Sequence, residues 1–262
     1  MKLSVILFAI SFLVFVSGAY AALEDGLVSA WTFDDGTARD NGPGGNNGVI
    51  KGNVKSVAGK VGKAMDFDGV KDSYIMVADK ANLQLDKFTI SAWINVRKGA
   101  DHGAIFWKGD KIGWGANFNY RIATTSDTDL TWGTTFAGTE AYFATAGVYK
   151  INTWYHVCMT GDGTTATGYV NGAIPKSDQT NPHESKAPLN KFVGKPVEMG
   201  VGRGVGGTVG NDSFYNGLID QVYLWNRALT QAEVTQLAGG ASLTAVESKG
   251  KLSTTWGDIK SY

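Results

Sequence analysis

The side chains best suited to grip a ligand are crowded into the middle of the chain, where Trp107, Trp114, Tyr120, Trp132, Tyr142, Phe143 and Tyr149 fall in one stretch. Flat aromatic rings stack on sugar faces or anchor a protein partner. Arg121, Asp127 and Asp129 would supply polar contacts beside them. Each ring taken singly is better explained as core, since large aromatics dominate the interiors of β-sandwiches. From the set, Trp107, Trp114, Tyr120, Arg121 and Trp132 are the candidate ligand-binding residues. Catalytic chemistry is less well supplied. A glycosidase needs two carboxylates flanking the scissile bond, and the glutamates Glu24, Glu140, Glu184, Glu198, Glu233 and Glu247 are isolated from one another in sequence. His102, His156 and His183 have no metal-ligand spacing, and His156, beside Trp154 on an apolar strand, reads as a structural imidazole. Cys158 lies within Trp154-Tyr155-His156-Val157-Cys158-Met159, where a buried, inert thiol is expected rather than a nucleophile. The run Gly200 to Gly207 is glycine-rich but leads into no helix that could receive a phosphate, so it reads as a rim loop.

The elements that would position these residues are strands. The chain holds 35 glycines and little helical periodicity, the pattern of short strands joined by tight turns. Phe88 to Val96 alternates, with Phe88, Ile90, Ala92, Ile94 and Val96 on one face and Thr89, Ser91 and Asn95 on the other. Trp93 falls on the polar face, either beneath a loop or on an open sheet surface. Further strands are expected over Leu27 to Phe33, Ala64 to Phe67, Tyr74 to Val77, Ala104 to Trp107, Trp154 to Thr160, Thr165 to Val170 and Leu218 to Trp225. Asn171-Gly172 closes a tight hairpin because both residues tolerate positive φ. One helix is expected after Thr230, with Glu233 completing a capping box and Gly239-Gly240 ending it.

At the N-terminus Lys2, the apolar run Leu3 to Val16 and the triplet Ala19-Tyr20-Ala21 follow the order of a secretory leader, so residues 1–21 are expected to be removed on export. The destination would be secreted, cell-surface or periplasmic. The apolar run is shorter than a bilayer-spanning helix needs, so no integral membrane segment is expected in the mature chain. Basic and acidic residues balance at 24 each, which gives no electrostatic footprint for nucleic acid. A single cysteine excludes an intrachain disulfide. Residues 22–240 are expected to form one domain, followed by a polar tail over 241–262 that serves docking or packs as an amphipathic helix.

Trp31-Thr32-Phe33-Asp34, Gly45-Asn46-Asn47-Gly48, Gly62 to Gly69, Phe88 to Trp93, Trp154 to Val157, Tyr169 to Gly172 and Gly217 to Asp220 through Asn226-Arg227-Ala228-Leu229 occur in an order that resembles LamG-like jelly-roll domains of the concanavalin A-like lectin and glucanase superfamily. The resemblance runs from about Leu27 to Leu237. It implies an all-β fold, a two-sheet antiparallel jelly-roll sandwich with one short C-terminal helix and one concave sheet. It also implies recognition of extracellular glycans or other proteins. Family 16 glycoside hydrolases share the architecture but set Glu, Asp and Glu at near-alternate positions of one strand, a cluster this chain lacks. No enzyme is expected; the leading function is carbohydrate recognition, with protein adhesion or a structural surface role as alternatives. The resemblance further implies a structural calcium ion held by Asp34, Asp220 and Asn47, with Asp68 as a weaker fourth ligand. Asp220 adds a reason of its own. Strict alternation places it beside the apolar Leu218, Val222 and Leu224, and a carboxylate in such company needs a partner.

Overall fold

The computed structural model describes residues 23–110, 118–176, 180–204, 212–241 and 243. The leader, Trp114, the end of the glycine-rich run and the tail beyond Leu243 lie outside the described residues. In chain order the strands are β1 (Leu27–Trp31), β2 (Gly48–Lys51), β3 (Lys55–Ala58), β4 (Lys63–Asp68), β5 (Tyr74–Val77), β6 (Phe88–Lys98), β7 (Gly103–Gly109), β8 (Phe118–Thr124) and β9 (Leu130–Phe136). They continue as β10 (Thr139–Thr145), β11 (Trp154–Gly161), β12 (Thr165–Val170), β13 (His183–Glu184), β14 (Val197–Met199), β15 (Val201–Gly202), β16 (Ser213–Phe214) and β17 (Asn216–Trp225). Helix α1 (Gln231–Ala238) follows.

Fifteen of the described strands form two antiparallel sheets packed as a sandwich, and β15 pairs with β16 in a separate short ribbon. The first runs β13-β12-β11-β6-β17-β4-β3, with β1 also paired to β17. The second runs β10-β9-β8-β7-β14-β5-β2. The pairing of β1 with β17 joins the first and last described strands.

Strand β6 shows how the sequence writes this arrangement. Phe88, Ile90, Ala92, Ile94 and Val96 all enter the inter-sheet core, as period-two alternation requires. The opposite face is polar but covered: Thr89 Oγ1 donates to the Arg227 carbonyl and accepts from Leu229 N–H, and Ser91 meets His156 Nε2 at 2.7 Å. Trp93 is only 7% exposed. It lies beneath the turn between β3 and β4, whose Lys60 ammonium stands 4.5 Å from its ring centre.

Strand β17 departs from strict alternation. Gln221 has φ 49° and the register with β6 shifts between Asp220 and Tyr223, the signature of a bulge. The extra residue reverses the phase, so Ile219, Val222 and Leu224 face the core while Tyr223 and Trp225 join the apolar cluster on the outer face. Asp220 therefore does not share a face with Val222 and Leu224, as uninterrupted alternation would have it. It pairs across to Trp93 on the outer side of the first sheet.

That outer face is closed further along by α1. Thr230 and Glu233 form the expected capping box, and Val234 and Leu237 pack with Cys158, Tyr223 and Trp225. The Cys158 thiol is buried there, with its pKa pushed far up by burial, so it is inert as a nucleophile. The hairpin between β12 and Ala173 turns through Asn171 at φ 48° and Gly172 at φ 78°, with reciprocal hydrogen bonds between Val170 and Ala173.

Candidate functional site

The second sheet carries a continuous ladder on its outer face. Met76, Glu198, Trp107, Arg121, Gly133 and Tyr142 are successive Cα partners from β5 to β10. The next rung holds small side chains, Ala123, Thr131 and Ala144. Gly133, which has no side chain, stands between Arg121 and Tyr142 in the register. The Arg121 guanidinium lies 5.8 Å from the Trp107 ring centre and 5.4 Å from that of Tyr142. Cation–π contacts of this kind fix both ring and cation. Glu140, two residues before Tyr142 on the same face of β10, brings a carboxylate oxygen within 4.0 Å of Arg121. This is an ion pair at the long limit rather than a hydrogen bond.

Burial lowers the pKa of Arg121, and Glu140 pushes it back up; the guanidinium stays charged. Burial raises the Tyr142 phenol, opposed by Arg121. His102, in the turn before β7, belongs to the same electrostatic group. Its pKa is lowered by burial and by the Arg121 charge, while Asp101, 2.5 Å from Nδ1, acts in the opposite sense.

At the β10 edge the ladder opens to solvent. Glu140, Tyr142, Thr180 and His183 line an open depression of about 390 Å³, within the range typical of small-molecule sites. The last two residues arrive from the other sheet. The Asn181 carboxamide accepts from Gly168 N–H at 3.1 Å and donates to its carbonyl at 3.2 Å, mimicking one more strand beside β12. Two residues on, β13 pairs with Thr165 and Ala166. The His183 ring stacks on Phe136, centroids 6.2 Å apart and planes 17° apart. The depression thus spans the seam between the two sheets.

Of the residues expected from sequence to bind ligand, Trp107 and Arg121 lie on this face, but both are buried within the ladder. Tyr120 and Trp132 do not belong to it. They point the other way, into the core: the Tyr120 hydroxyl donates to the Leu83 carbonyl, and Trp132 stacks on Phe143 and donates from Nε1 to the Cys158 carbonyl. The cause is phase, since neighbouring positions of a strand face opposite ways. Trp114 lies outside the described residues. The residues that line the depression are Tyr142 and Glu140, whose spacing of two is legible in Thr139-Glu140-Ala141-Tyr142 once that stretch is read as a strand, and Thr180 and His183, which only the tertiary fold brings in.

The expected metal ligands divide into separate groups. Asp34 and Asp220 both reach the turn between β3 and β4. Asp220 Oδ2 accepts from Lys60 and Val61 N–H at 2.8 and 3.0 Å, and Asp34 Oδ1 accepts from Lys63 N–H at 3.1 Å. Burial raises the Asp220 pKa to about 6, against the pull of three backbone N–H groups and with a further push from the Asp34 charge. Its Oδ1 is buried without a hydrogen-bond partner. Asn47 is committed elsewhere, its side-chain oxygen accepting from Asp40 N–H at 2.9 Å. Asp68 organises its own turn, accepting from Val70 N–H and the Asn53 amide. Among the described residues no group of three or more His, Cys, Asp or Glu side chains is placed to hold a metal.

Fold and sequence together define the class. Residues 68–235 match the family model described as the concanavalin A-like lectin/glucanases superfamily, and the chain belongs to that superfamily. Among curated proteins the sequence has no match. Solved structures that share the fold include domain 4 of AbnA, a GH43 extracellular arabinanase from Geobacillus stearothermophilus, in complex with arabinotriose. There the TM-score is 0.55 and the identity 20%, over 81% of this chain and 98% of that one. The binding domain of Paraclostridial Mosquitocidal Protein 1 aligns at TM-score 0.64 and 21% identity, over 83% of this chain and 53% of that one. The binding domain of Botulinum Neurotoxin DC in complex with SialylT aligns at TM-score 0.61 and 17% identity, over 83% and 51%. The chain thus spans about half the length of the toxin binding domains. The two toxin chains are binding domains, and at such identity the likeness concerns the fold. Among the described residues no helix is long and apolar enough to cross a membrane.

Proposed function

We propose that the protein is an exported, non-catalytic module that binds extracellular carbohydrate in the depression lined by Glu140, Tyr142, Thr180 and His183. The observation that carries this reading is the half-buried Tyr142 ring, braced from behind by Arg121 and flanked by polar side chains. An aromatic platform with a few convergent hydrogen-bonding groups is what a sugar ring requires, since one face is stacked and the hydroxyls are bonded. Glu140 is the one carboxylate among the described lining residues, whereas glycosidic hydrolysis by the usual route needs two. Two domains of the same fold have been solved with saccharides, domain 4 of AbnA with arabinotriose and the Botulinum Neurotoxin DC binding domain with SialylT, which supports the reading. A glycan array on the chain from Ala22 onward tests it. Specific binding that Tyr142→Ala weakens at least about tenfold, with the melting temperature held, is the expected result, a loss of roughly 1.4 kcal/mol. A blank array from folded protein would turn the assignment toward protein adhesion.

We further propose that a calcium ion is held by Asp34 and Asp220 at the turn between β3 and β4. The buried, unsatisfied Asp220 Oδ1 supports this, because a buried carboxylate is stabilised by a cation and calcium accepts carboxylate and backbone oxygens together. Asn47, held by Asp40, is not needed for this reading. The ion's role would be to neutralise two carboxylates and pin the turn over Trp93. Saturating calcium should raise the melting temperature and chelation should reverse the change, while Asp220→Asn should lose the response. An identical melting temperature in calcium and chelator would remove the ion from the account.

A further inference from the structure

The depression presents charge in an unusual order. Among its described lining residues the single charged side chain is Glu140, 20% exposed, while the nearest guanidinium, Arg121, is 2% exposed. Arg121 lies behind the wall, between the rings of Trp107 and Tyr142 and beside Glu140. We propose that the site selects uncharged saccharides and discriminates against sialylated and other carboxylated ones, an inference that rests on reading the depression as a sugar site.

A carboxylate accepts hydrogen bonds and donates none, so Glu140 takes hydroxyl donors from a neutral ring. The Thr180 hydroxyl and the His183 imidazole can each donate or accept. A sugar carboxylate entering the same space would face Glu140 directly. Recognition of a carboxylate by arginine needs the edge of the guanidinium, where its N–H groups point. To reach that edge an incoming acid would have to pass Glu140, whose carboxylate lies 4.0 Å from the Arg121 guanidinium, bringing two carboxylates side by side. Like charges so placed repel strongly. Arg121 acts instead as a positioning residue that fixes Tyr142 and holds Glu140 at the rim.

The test is a panel of matched glycan pairs, each neutral oligosaccharide printed beside its sialylated form, followed by titration of the best pairs with the full mature chain. The neutral member should bind at least about tenfold more tightly. Raising salt from low to about 0.5 M should narrow the gap by screening the repulsion, a readout that needs no variant. Glu140→Gln keeps the shape and removes the charge, and it should bring the two affinities close together. Equal or tighter binding of sialylated members by the wild-type chain, or a gap that neither salt nor Glu140→Gln changes, overturns the selectivity while leaving the sugar site standing. Failure of both members of every pair overturns the sugar site itself and this inference with it.

Discussion

Two buried side chains on the outer face of the first sheet titrate in opposite senses. His156 is buried with its pKa pushed down to about 3 by burial, so the folded state holds it neutral. Between that value and the ordinary 6.5 the unfolded chain binds more protons, and stability from this group is lost as pH falls. Asp220 is the reverse. Its folded pKa is raised from 3.8 to about 6, so in this interval the folded state binds more protons and stability is lost as pH rises. Each contributes a slope of up to roughly 1.4 kcal/mol per pH unit, and between about pH 4 and 6 the two oppose. With metal chelated, unfolding free energy across that window should therefore be nearly flat, as far as these groups go. Calcium that keeps Asp220 ionised should expose the His156 slope, and stability should then climb with pH. Urea titrations at a series of pH values, in calcium and in chelator, check this. Parallel curves in the two conditions would contradict it.

At the scale of single elements, small residues decide how closely the sheets and ladders approach. Gly168 on β12 faces the core, where an added Cβ would stand 2.7 Å from both the Trp132 ring and the Phe143 ring. Gly168→Val should therefore cost about 1 to 3 kcal/mol through overpacking, read as a drop in the urea midpoint. An unchanged midpoint would mean that the Trp132–Phe143 stack relaxes freely. Strand β6, β12, the β12 hairpin and the capping box of α1 were legible from sequence because their signals are local: alternation, an Asn-Gly turn and a Thr/Glu pair. Strands β8, β9 and β10 escaped that reading. In Leu130-Thr131-Trp132-Gly133-Thr134-Thr135-Phe136 both faces are buried, and polar threonines and a glycine fill the outer one, which blurs the periodicity. The bulge at Gln221 had no local signal either, and it misplaced Asp220. The candidate site was half visible for the same reason. Arg121 and Trp107 were identified by type, but which neighbours shared their face depended on strand phase, and His183 and Thr180 come from the edge of the other sheet.

Over the whole molecule the two sheets take different outer coverings. The first is closed by α1 and by the turn carrying Lys60, which seat Trp225 and Trp93. The second keeps an aromatic and charged ladder that opens at the β10 edge. On the proposed reading the first outer face supports stability and the second meets the ligand. The most direct test is to add a neutral oligosaccharide found by array to isotopically labelled protein and follow backbone and side-chain resonances by NMR. Shifts should concentrate at Glu140, Tyr142, Thr180 and His183 and fade toward Trp93 and α1. Shifts that cluster around Trp93 and Lys60, with the depression silent, would contradict the assignment of the sugar site to the second sheet.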